Sequence, residues 1–165
     1  MKNLIQIAFL FFITLSSAQV QLELTPQGFV PIEVVLPKKS FDKIIEVSKS
    51  WTSIYNNKVA DVYDVTQNSL SIGALNENAY YYWNLGVKYN YDIKYIMTIK
   101  VKEDNKYVLT FKVNEILTDH VLTKTTTADF FNADGNVKQE YEESKSSLES
   151  NVNKIVNSYV DFIAK

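Results

Sequence analysis

His120 is the one histidine of the chain and follows Asp119 in a polar stretch, so it is the first place to look for acid–base or metal chemistry. Nucleophilic catalysis needs a nucleophile beside the base and a further group that orients it. A metal site needs several His, Cys or carboxylate ligands. Neither set of partners can be assembled around His120, which therefore reads as an exposed loop residue. Asn132-Ala133-Asp134-Gly135-Asn136 has the look of the middle of a calcium loop. Aligning Gly135 with that loop's invariant glycine puts Phe130 at the first ligand position and Tyr141 at the final glutamate, so the coordination set is broken and a turn is expected. Glu140, Glu142 and Glu143 suit the first turn of a helix, where carboxylates face the positive end of the dipole. The four glycines, Gly28, Gly73, Gly86 and Gly135, are too scattered to cradle a phosphate, and no serine sits in a nucleophile elbow. The sequence thus predicts no catalytic residue, no metal and no cofactor.

The remaining feature with chemical content is aromatic. Tyr80, Tyr81, Tyr82 and Trp83 are consecutive, and Tyr89, Tyr91 and Tyr95 follow closely. Such rings give large contact area at small entropic cost. Asn76, Asn78, Asn84 and Asn90 add adaptable amides. Tyr80, Tyr81, Tyr82, Trp83, Tyr89 and Tyr91 are accordingly the candidate binding residues, suited to a protein, peptide or glycan. Structural use competes with this reading, because rings are common in strands and consecutive ones point to opposite faces.

Location and composition limit the partners. Met1-Lys2-Asn3, the apolar run Leu4 to Leu15 and the small residues Ser16-Ser17-Ala18 read as a cleaved secretory signal over residues 1–18. The apolar run is too short to span a bilayer, and no second one follows, so the mature chain is expected to be periplasmic or extracellular with no transmembrane span. With no cysteine, neither disulfides nor a lipid-anchoring thiol is open to it, and hydrophobic burial must carry the fold. All basic residues are Lys and the net charge is −2. Without guanidinium forks or a basic field, nucleic acid is not an expected partner.

The elements that would position these residues follow from periodicity. Residues 19–27 read as a polar lead-in and 28–165 as a single domain. Phe29 to Leu36 reads as a strand with Pro31 at its beginning or at a sheet edge. Ser40 caps a helix whose Phe41, Ile44, Ile45, Ser48, Trp51, Thr52 and Tyr55 share a face, ending at Asn56-Asn57. Val59 to Val65 and Ser69 to Ala74 suggest a hairpin turning at Thr66-Gln67-Asn68. Alternation is clearest in Ile93, Tyr95, Met97, Ile99 and Val101, repeated by Tyr107, Leu109, Phe111 and Val113 across a turn at Glu103 to Lys106. After a polar stretch anchored by Phe130-Phe131, the residues Tyr141, Leu148, Val152, Ile155, Tyr159, Phe162 and Ile163 mark a long C-terminal helix. The predicted class is α+β, an antiparallel sheet with two helices on one face in β-α-β4-α order.

That order, with Ser40-Phe41 opening a helix, Trp51 within it, the Gly73 strand and the Lys100 to Tyr107 hairpin, resembles an exported bacterial domain of unknown function with a TBP-like fold. The resemblance covers about Phe29 to Ile116. It departs at Asn105 and Val108, where that family tends to place Gly and Arg. It implies a fold resembling one half of the TATA-binding protein and carries no activity and no DNA binding. Two function classes follow: a non-catalytic exported interaction domain, or a carrier of a small apolar ligand between helices and sheet.

Overall fold

The computed structural model describes residues 19–55 and 60–165. The export signal read over residues 1–18, the helix end read at Asn56-Asn57 and the strand start read at Val59 lie outside the described residues. Within them the chain is α+β, as its patterning predicts. A two-residue hairpin, β1 (Leu24–Thr25) and β2 (Gly28–Phe29), leads into β3 (Ile32–Val35), α1 (Phe41–Tyr55), β4 (Ala60–Tyr63), β5 (Ser69–Asn84), β6 (Val87–Val101), β7 (Lys106–Thr118), β8 (Val121–Leu122) and α2 (Glu142–Ala164). The main sheet is antiparallel in the order β3-β7-β6-β5-β4, with β8 on the far end of β7.

The register puts one apolar row after another on the covered face. Ile32, Leu109, Ile99 and Leu70 lie side by side across four strands, and Phe111, Met97, Ile72 and Val62 form the next row. The alternate residues of β6, such as Lys94, Thr98 and Lys100, face the other way, as their spacing predicts. Ser40 Oγ accepts the Lys43 N–H at the start of α1, and Ile44, Ser48, Trp51 and Thr52 form its buried face. Trp51 packs edge-on against Tyr159 of α2 and donates its Nε1 proton to Ser158 Oγ. The Tyr159 hydroxyl is within 2.9 Å of Ser48 Oγ, which ties the helices together inside the core. Asn105 holds φ +56 in the β6–β7 turn. Asn tolerates that left-handed conformation best after Gly, which explains how the hairpin closes without a glycine.

Residues 19–27 differ most from their sequence reading. Leu22 and Leu24 are fully buried, and the segment lies along α2 as an extended strap. Asn157 accepts the Val20 N–H and donates to the Val20 carbonyl; Asn153 does the same for Leu22. Glu149 accepts the Leu24 N–H at 2.8 Å. Four helical residues rise about 6.0 Å and two strand residues about 6.7 Å, so an i, i+4, i+8 row of side-chain amides can follow alternate residues of a strand. A second row on α2 seals the edge of β5 beyond the end of β4. Asn151 donates to the Ala79 carbonyl and Ser144 to the Tyr81 carbonyl, while Ser147 Oγ accepts the Tyr81 N–H.

Asn153→Ala should therefore cost about 2–3 kcal/mol, because it strips both backbone groups of Leu22 in a partly buried place. Urea unfolding read by tryptophan fluorescence checks this. A loss below about 0.5 kcal/mol would mean that the strap contributes little.

Candidate functional site

β5 and β6 continue well past the rest of the sheet. Among the described residues β4 pairs with Ser71 to Ala74, and β7 reaches β6 from Asp92 onward, so Tyr80 to Tyr91 form a two-stranded arm. A bulge between Asn76 and Tyr80 sets its direction. There Asn78 takes φ +52 and donates its N–H to Asp92 Oδ1 at 2.8 Å.

The arm divides the sequence-predicted binding residues. Tyr80, 2% exposed, stacks on Tyr91 at 4.9 Å and meets Phe130 edge-on, so it belongs to the core. Its burial pushes the phenol far above the usual tyrosine range. Tyr91 is half-buried by the same stack. Tyr82, opposite Tyr89, packs on Tyr141, which itself stacks on Phe130. These rings anchor the irregular segment before α2. The short 3-10 helix Thr127–Phe130 within that segment is closed by Asp129, whose carboxyl accepts the Thr126 N–H and hydroxyl and is held below the usual carboxylate range by them. On the other face Lys88 Nζ sits 4.2 Å above the Tyr81 ring.

Trp83 and Tyr89 remain in solvent and are joined by two residues that the sequence reading missed. Asn84 pairs with Val87, leaving Leu85-Gly86 as a two-residue turn with φ +49 and +79. Both positive angles fit a type I′ turn, in which Asn-Gly is the preferred pair. Leu85 is 98% exposed at the apex, flanked by Trp83 at 49% and by Val87. A leucine there is held in a conformation that costs an L-residue about 1–2 kcal/mol and is buried against nothing among the described residues. Glu140 and Glu143 share a shallow cavity with the Trp83 ring, so the apolar tip has an acidic flank.

Beneath the arm, a polar cleft of about 440 Å³ holds Glu77, Asn78, Asp92, Asp119 and His120. His120 is exposed, as its sequence context predicts, with Nδ1 3.7 Å from Asp92 Oδ2. Asn132 Oδ1 accepts the N–H groups of Asp134 and Asn136, which makes that segment the expected turn. Among the described residues, no group of three or more His, Asp or Glu is placed to hold a metal ion. No helix among them is long and apolar enough to cross a membrane.

No family model matches the chain, and no curated protein matches it. Among solved structures it is similar to a DUF4468 family protein from Bacteroides ovatus ATCC 8483, with 10% identity and a TM-score of 0.49 over 81% of this chain and 78% of that one.

The division of the arm has a measurable consequence. Tyr80→Ala should cost about 3–5 kcal/mol, as loss of a buried ring does, while Trp83→Ala should change stability by less than about 0.5 kcal/mol. Thermal melts of the two variants check it.

Proposed function

We propose that the chain is a non-catalytic binding domain that presents the β5–β6 tip to a protein partner. The observation that carries this reading is Leu85, fully exposed in a left-handed turn position and bracketed by the exposed Trp83, Val87 and Tyr89. Exposed apolar groups grouped at one projecting point favour an interface over chance exposure. The aliphatic apex favours an apolar pocket over a glycan, which would be met by stacked rings and amides. Glu140 and Glu143 beside Trp83 favour a pocket with a basic rim. The carrier reading has less support, since the space between helices and sheet is filled by Trp51, Met97, Phe111 and Tyr159. The succession β3, α1, β4 to β7 and α2, to which the two-residue hairpin β1–β2 and the two-residue β8 are added, supports kinship with the exported TBP-like domain. Residues 1–18 support export to the periplasm or beyond, with no transmembrane span and no nucleic-acid partner.

Two outcomes test this. Leu85→Asn places the preferred type I′ residue at the apex, so it should raise stability by about 0.5–1 kcal/mol while abolishing retention of the partner on the immobilised protein. Equal retention by both proteins would contradict the reading. N-terminal sequencing of protein from the native host should start at Gln19; a retained Met1 would contradict export by a cleaved signal.

A further inference from the structure

β7 is paired with β6 along most of its length, yet on its opposite side its strand partners among the described residues lie at its ends. β3 covers Lys106 to Leu109 and β8 covers Leu117 and Thr118. The stretch between them faces two cavities of about 580 and 270 Å³, which share Val113, Thr126 and Thr127 and so form one groove.

The sequence makes this gap. Pro31, the residue before β3, would fall opposite Thr110 and has no N–H to give a ladder. Val30 turns its N–H away to the Glu23 carbonyl at 2.9 Å. At the other end, the Thr123 N–H and hydroxyl both go to the Ile116 carbonyl, after which the chain leaves the sheet.

Direction along the strand follows from the bonds at the two ends. The Asn105 carbonyl accepts the Leu36 N–H and the Ile116 carbonyl accepts the Thr123 N–H, both on this side. Backbone groups alternate along a strand, and the register shift between Lys94 and Tyr95 inserts one residue of β7 before Ile116. Phe111 and Val113 consequently aim their N–H and C=O into the groove. Phe29, Val30 and Pro31 form an apolar wall, and Lys112 and Lys124 stand on the rim with no ion pair to either among the described residues.

We propose that this groove binds an extended peptide segment, added as a strand to the open edge of β7. Two donors and two acceptors spaced as alternate strand residues match a peptide backbone, and a small ligand would leave most of them unmet. The apolar wall takes an apolar side chain at alternate positions, and the two lysines favour carboxylates at the others. The site is separate from the β5–β6 tip, and either can fail without the other.

The experiment is an NMR titration of the ¹⁵N-labelled full protein with a blocked hexapeptide of alternating valine and glutamate. The Phe111 and Val113 amides should shift and exchange more slowly. The valine–lysine counterpart should bind at least about fivefold more weakly, as loss of two rim ion pairs implies. A valine–glutamate peptide with N-methylated alternate amides should not bind. The Leu85→Asn variant should respond as the parent does. Unmoved Phe111 and Val113 amides at millimolar peptide, shifts confined to Trp83 to Tyr89, or binding undiminished by N-methylation would each overturn the proposal. So would the same shifts on raising protein concentration without peptide, which would assign the groove to a second copy of the chain.

Discussion

Glu149, Asn153 and Asn157 place hydrogen-bonding side chains along one line of α2, and an extended segment more than a hundred residues away in sequence docks on that line. A carboxamide offers one acceptor and one donor, which is what one residue of a strand requires. The helix thereby acts as a strand partner while its adjoining face supplies Leu148, Val152, Ile155 and Tyr159 to the core. Leu22 and Leu24 can then be buried without stranding their backbone groups. Ser144, Ser147 and Asn151 extend the same device to β5.

The treatment of strand edges explains where the chain is open. Beyond β4 the edge of β5 is closed by α2, so the arm can carry core rings such as Tyr80 up to its base and still project a bare tip. Among the described residues β7 has no such cover between β3 and β8, because Pro31 diverts the preceding chain and the following chain leaves after Thr123. Lys112 and Lys124 border that gap, in keeping with the use of lysine to discourage indiscriminate edge pairing. One buried group stands outside this economy: the Tyr107 hydroxyl has no partner among the described residues. Its burial pushes the phenol far above the usual range.

Much of the fold was legible in the sequence, and the misses have physical causes. The helices and the β6–β7 hairpin declare themselves because each has one buried face, so composition alternates with the correct period. Residues 76–84 and 87–91 do not, since both faces of a two-stranded arm are partly wet and the bulge at Asn78 shifts the phase. The aromatic cluster was visible, but burial sorts it by distance along the arm, which ring identity does not encode. Leu85-Gly86 gives no turn signal of the Asn-Gly kind. Residues 19–27 look like a polar leader because the partners that make them structural lie in α2. There Glu149, Asn153 and Asn157 are indistinguishable from a solvated face until something docks on them.

Amide hydrogen exchange of the intact protein tests the strap most directly. If the side chains of α2 serve as a strand partner, the Val20, Leu22 and Leu24 amides exchange far more slowly than an unstructured peptide, with Leu22 approaching the rates of the central strands. Exchange of all three at the rate of an unstructured chain, with β5 to β7 fully protected, would contradict it.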